Sequence, residues 1–137
     1  SVQALVLHID AVCEQLEAGD DAQLHAICAR LRDGSKSLAD SLRWILATGM
    51  QDLNAVLAGA VPFLHLCGVV CGGWQMARAA LTAQRKLAAG DGDLPFYRAK
   101  IATARFFADQ DLTRAAGLRD AAIHAAAGTM ALAEEQF

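Results

Sequence analysis

An all-α chain folded as an antiparallel, up-down-up-down four-helix bundle is the class that this sequence predicts, and three observations carry it. Apolar residues make up 55% of the chain and charged ones 20%, with only two prolines and alanine the commonest apolar type, a mixture that favours helix. Apolar residues recur at three- and four-residue spacings along most of the length, the period of one helical face. No segment alternates with period two, and no Asn-Gly or Asp-Gly turn joins two strand-like runs, so a sheet has no support. The 137 residues suit one domain spanning residues 1–137 around a single core.

Each helix has its own signals. Leu5, Ile9, Val12 and Leu16 mark the first, from Val2 to Ala18, with Gly19 as its stop. Asp20 or Asp21 caps the second, whose stripe of Leu24, Ile27, Cys28, Leu31, Ser35, Leu38, Leu42, Ile45 and Leu46 stays in phase across Gly34. That helix runs whole to about Thr48, where Gly49 closes it. Asp52 or Asn54 opens the third, which carries Leu53, Val56, Leu57, Leu64, Cys67, Val70, Cys71, Trp74, Leu81 and Leu87. Pro62 removes a backbone donor and kinks this helix near Gly59 to Val61.

The segment Gly90-Asp91-Gly92-Asp93 is the clearest break. Gly90 suits a left-handed stop, and Asp93 suits an N-cap ahead of Pro95 in the next first turn. The fourth helix reads as one continuous bundle-spanning element with Tyr97, Ile101, Ala104, Ala108, Leu112, Ala115, Leu118, Ala122, Ala126 and Met130 on its core face. Short connections between long helices imply antiparallel neighbours.

Charge and cysteine usage narrow the function classes. The net charge of −3 is scattered, with no basic block and no aromatic-plus-Arg platform, so nucleic acid is not an expected partner. Cys13, Cys28, Cys67 and Cys71 lie in apolar helical stretches without the dense spacing of a secreted disulfide framework. They read as reduced thiols of a cytoplasmic protein. Between Asp52 and Arg78 there is no formal charge, a span long enough to cross a bilayer. Pro62, His65, Gln75 and several glycines within it, beside amphipathic partners of similar length, favour a buried central helix and no membrane span.

Candidate sites give way to structural explanations. Gly68, Gly72 and Gly73 beside Trp74 form a flat patch that suits a tight helix crossing better than an acyl or cofactor groove. Trp74 is placed in the centre of the core, where truncation to alanine costs about 3–5 kcal/mol. Cys67 and Cys71 share a face that His65 does not, and no Glu-x-x-His pair is present, so no metal site is expected. None of His8, His25, His65 and His124 has the lysine and small-residue neighbours of a phosphotransfer histidine. Asp120, one turn before His124, is an ordinary helical neighbour. Asp91 and Asp93 lack the rest of a calcium loop and serve turn and cap. Arg78, Lys100 and Arg105 flank core faces and pair with Asp109 or acids of another helix, without any phosphate-binding loop for CoA.

Three strings carry a resemblance: Val61-Pro62-Phe63-Leu64 through Gly72-Gly73-Trp74-Gln75-Met76-Ala77-Arg78; Tyr97-Arg98-Ala99-Lys100-Ile101-Ala102-Thr103-Ala104-Arg105-Phe106-Phe107-Ala108; and Met130-Ala131-Leu132-Ala133-Glu134-Glu135-Gln136-Phe137. Together they resemble the C-terminal helical extension of a bacterial branch of the acyl-CoA dehydrogenases, the methylmercaptopropionyl-CoA dehydrogenase-like branch. The likeness is strong over the last two thirds and rests on helix pattern alone in the first fifty residues. It implies a parent that uses FAD to remove hydrogens across the α,β bond of an acyl-CoA, with a glutamate base in earlier domains. No catalytic, cofactor-binding or metal residue carries over to this chain, which by itself is expected to be non-catalytic.

The resemblance further implies the remaining flavoenzyme domains as partners, a homo-oligomer, and a packing or subunit-interface role. Ser1 in place of an initiator methionine suits a segment excised from the C-terminus of such an enzyme. A free-standing interaction module, or a membrane-associated one, is the alternative. Asp111, on a stripe position where an apolar residue is expected, and the Cys-rich third helix depart from the family's pattern.

Overall fold

A computed structural model describes all residues from Ser1 to Phe137 and contains no strand. The helices are α1 (Val2–Glu17), α2 (Ala22–Thr48), α3 (Leu53–Ala58), α4 (Ala60–Ala89), α5 (Leu94–Gln110) and α6 (Ala115–Thr129), with 3-10 turns at Leu112–Arg114 and Glu134–Gln136. Caps set the starts. Asp21 accepts from the backbone N–H of Gln23 and Leu24 at 2.8 and 3.0 Å; Asp52 accepts from Ala55 at 3.0 Å; Asp93 accepts from Phe96 at 3.1 Å. Each satisfies donors that the first turn leaves unpaired. Ser1 caps α1 in the same way, with the Ala4 N–H donating to its hydroxyl at 3.3 Å.

Gly90 ends α4 at φ +63°, the left-handed stop that its position predicts. Gly19 is different. The first helix stops at Glu17, and positive φ occurs at Gly90 and Gly92 alone. The carbonyl of Gly19 instead accepts from His25 Nε2 at 2.6 Å.

The first two helices follow the predicted stripes except at the end of α2, where Leu46 is exposed and Leu42 and Ile45 are half-buried. Ile9, Val12 and Leu16 of α1 are buried, as are Leu24, Ile27, Cys28, Leu31, Ser35 and Leu38 of α2. The other two predicted helices are each broken. The third divides into α3 and α4 at Gly59, where the Pro62 kink is expected, and the carbonyl of Ala122 in α6 occupies the space a Cβ would need there. Pro62 lies within the first turn of α4, where its missing N–H costs nothing. The fourth divides at Asp111 into α5, a 3-10 turn and α6.

The third stripe is met only in part. Val70 and Leu81 are buried as predicted, but Leu53, Leu57 and Leu64, predicted inward, are exposed, and Leu66, Gly73, Ala77 and Ala80 face the core in addition. The reason is crowding, since α4 packs against α1, α2, α5 and α6. A helix enclosed on that many sides fits only if its inward residues are small. Leu112 fills the gap so created. A Cβ on Gly73 would lie 2.7 Å from its side chain, and one on Gly34 3.2 Å away.

Helices α2 and α4 form a central pair. Helix α1 lies against both on one flank and α5–α6 against both on the other, and the two flanks do not touch. Residues near the start of α1 meet the end of α2, with Val2 and Val6 beside Leu42 and Leu46, while Cys13 meets Cys28. Helices α4 and α5 likewise run past one another in opposite senses, Gly72 meeting Phe107 and Ala83 meeting Tyr97.

Gly59→Ala should force backbone apart and lower stability by about 1–3 kcal/mol, the cost of overpacking. Gly68→Ala, where a Cβ meets nothing within 4 Å, should raise stability by about 0.5–1 kcal/mol through helix propensity. Urea unfolding of the two variants checks this, and effects of the same sign would contradict it.

Candidate functional site

Side chains that could do chemistry are dispersed and paired off. Arg105 donates to Asp109 at 2.7 Å, Arg78 lies over the Trp74 ring at 5.2 Å, and Lys100 lies over Phe96 at 5.5 Å. The three cations therefore point to separate places. Asp120 accepts from Arg119 at 2.9 Å and has no hydrogen bond to His124. Asp91 pairs with Lys86 at 3.3 Å, and Asp93 is the cap of α5. His65 is exposed while Cys67 and Cys71 are partly buried, and no group of His, Cys, Asp or Glu is gathered as a metal-ligand set.

Trp74 is not in the centre of the core. It is partly exposed, with His8 of α1 stacked on it at 5.8 Å and 9°. Its Nε1 is the buried side-chain polar atom left without a partner. The glycine patch beside it also separates. Gly72 and Gly73 make close crossings against Phe107 and Leu112, but Gly68 opens on empty space.

One cluster was not foreseen from the sequence. Cys13 and Cys28 face each other across α1 and α2, each thiol directed at the other's backbone carbonyl, at 4.0 and 3.7 Å. Cys28 also donates to Glu17 at 3.1 Å, and Arg32 holds the same carboxylate at 2.9 and 3.2 Å. The signal was available, because both cysteines occupy core positions of neighbouring antiparallel helices. Burial, helped by the facing Cys28, pushes the Cys13 thiol up to about 12, and burial also raises Cys28. Arg32 holds the Glu17 carboxyl below its usual range. A thiol raised in this way is a poor nucleophile.

The main cleft, about 470 Å³, lies between α1 and α2 and is lined by Val2, Val6, Leu7, Ala39, Leu42 and Leu46, with Gln3 and Arg43 as its polar members. Arg43 pairs with Asp40 at 3.0 Å. A flavin needs convergent donors for its ring and pyrophosphate, and these residues do not fit one.

A family profile described as "Acetyl-CoA dehydrogenase C-terminal like" matches residues 5–133, from the first turn of α1 to beyond α6. The chain belongs to that family. It is the C-terminal domain type found in acyl-CoA dehydrogenases, as the three strings in α4, α5 and the C-terminal tail imply. It is also 46% identical over 91 residues to the 3-methylmercaptopropionyl-CoA dehydrogenase of Ruegeria pomeroyi (strain ATCC 700808 / DSM 15171 / DSS-3), a match covering 66% of this chain and 15% of that protein. The chain thus spans a small part of the relative's length.

Two measurements follow from this geometry. Trp74→Ala should cost about 1–2 kcal/mol in urea unfolding, below the value for a fully buried ring. Trp74→Phe should cost under about 0.5 kcal/mol, because it removes an unpaired donor along with some contact area. For Cys13, the ordinary value of 9.0 rises to about 12 on folding, so its contribution to stability is complete below pH 9 and is lost as the pH climbs towards 12. The alkaline fall in stability should therefore be shallower in Cys13→Ala than in the parent sequence. Equal slopes would show that this thiol does not titrate with folding.

Proposed function

We propose that this chain is an accessory helical domain following the flavin-bearing part of an acyl-CoA dehydrogenase, where it packs and supports a subunit interface and performs no chemistry alone. The supporting observation is a family match that spans the helical core of a fold whose charged groups are largely spent on one another. The arrangement is read as an up-down-up-down four-helix bundle in which α3–α4 and α5–α6 each serve as one broken helix. Contacts of α1 with α2 and of α4 with α5, running in opposite senses, support that order.

In this reading FAD and the acyl-CoA are held by preceding domains, the parent is a cytoplasmic homo-oligomer, and the four free thiols agree with a reducing compartment. A second reading, a free-standing membrane-associated module, draws on α4, a helix long and apolar enough to cross a bilayer.

The test is the polypeptide encoded around this segment, expressed in full and with residues 1–137 removed. The full protein should bind flavin and dehydrogenate an acyl-CoA with a dye acceptor. The truncated form should keep the flavin absorbance but unfold at lower temperature or lose its subunit assembly. A full-length protein without flavin, or residues 1–137 required for flavin binding, would refute the accessory reading.

A further inference from the structure

Residues 1–9, 44–51, 53–77 and 121–133 carry no charged side chain. The fold brings much of them to one end. The start of α1 lies beside the end of α2, and Trp44, Leu57, Phe63 and Ala122 line one cleft where α2, α3, α4 and α6 meet. Asp52, the one charge between residues 44 and 77, is engaged as the cap of α3. On this end Leu46, Met50, Leu53, Leu57, Val61 and Leu64 are each more than half exposed. Together they leave on the order of 500 Å² of apolar surface, at the upper end of what a solvated monomer leaves bare.

The patch comes from the first part of the predicted third stripe, which faces outward. Leu53 and Leu57 of α3 and Val61 and Leu64 at the start of α4 stand outward without a partner. Ordinary helix patterning would place polar residues there.

We propose that this uncharged end is the surface by which the domain docks onto the preceding flavin-bearing domains of the same polypeptide; the inference rests on the accessory reading above. Two observations favour that occupant. The match covers 15% of the dehydrogenase it resembles, so most of a polypeptide of that length lies outside these residues. Ser1, which caps α1, sits at the same end, so a segment leading into α1 reaches the domain beside the patch. A short tether gives intramolecular docking a high effective concentration over a second copy. A membrane surface fits less well, because the four stretches contain no Lys or Arg to meet anionic headgroups. Arg43, at the rim of the nearby cleft, is held by Asp40.

Side-chain footprinting of the full-length protein tests the docking. After normalisation to the intrinsic reactivity of each residue type, Met50 and Leu57 should be labelled several-fold less than Phe106, which is exposed on α5 away from this end. Leu57→Asp/Leu64→Asp should bring Met50 labelling up to the level of Phe106 while the flavin spectrum is retained. If the double variant loses the helical signal of this domain, the wild-type footprint decides alone. Labelling of Met50 and Leu57 equal to Phe106 overturns the inference. So does protection that disappears on dilution to the monomer, which would mark a second copy, or protection that requires phosphatidylcholine–phosphatidylglycerol vesicles. An upstream sequence without flavoprotein domains defeats the accessory reading itself, and is seen before any footprint is taken.

Discussion

The close crossing at the centre of the fold is the constraint on which the other features depend. Gly34 of α2 and Gly73 of α4 leave room for one side chain, Leu112, which both flank. Because that leucine sits on the turn between α5 and α6, the same contact fixes where the last long helix must break. Gly59 repeats the device at the far end, where a carbonyl of α6 takes the place of a side chain. Interiors at crystal-like density tolerate little change in such contacts.

The consequence shows along α4. Gly73, Ala77, Ala80 and Ala83 share the inward surface with Leu66, Val70 and Leu81, while Val61 and Leu64 near its start stand outward. A helix of this kind contributes little to a ligand pocket of its own, which agrees with clefts lined by isolated aliphatic side chains or by ions already paired. Some of the ion pairs tie one helix to another. Arg32 and Glu17 link α2 to α1, Arg30 and Asp109 link α2 to α5, and Arg119 reaches Asp40 between α6 and α2. Such exposed pairs add little stability individually.

Much of this was legible in the residues. The caps at Asp21, Asp52 and Asp93, the left-handed Gly90, and the buried stripes of α1 and α2 follow from local chemistry that needs no knowledge of neighbours. The break at Gly59 was also signalled, by the kink that Pro62 imposes near Gly59 to Val61, although nothing local reveals that an α6 carbonyl will approach that glycine. The division of the last helix did not follow. Asp111 did signal trouble as a polar residue on an apolar stripe; its meaning, a helix end, became clear only with Leu112 turned into the core. The inward face of α4 was read correctly at Val70 and Leu81 but not at Gly73, Ala77 and Ala80, because periodicity weighs large side chains over small ones. The family's three strings were readable, yet which sulfurs meet depended on helix pairing.

The separation of the two flanks has a bearing on how the domain opens. Helix α1 touches only α2 and α4 and is the shorter of the two sides, so its detachment would leave the α2–α4–α5–α6 packing whole. Local opening free energies follow such differences in buried contact. The amino-terminal helix is therefore the natural first unit to fray, and the Cys13–Cys28 sulfurs it carries into the core are the groups whose solvent access would report that event.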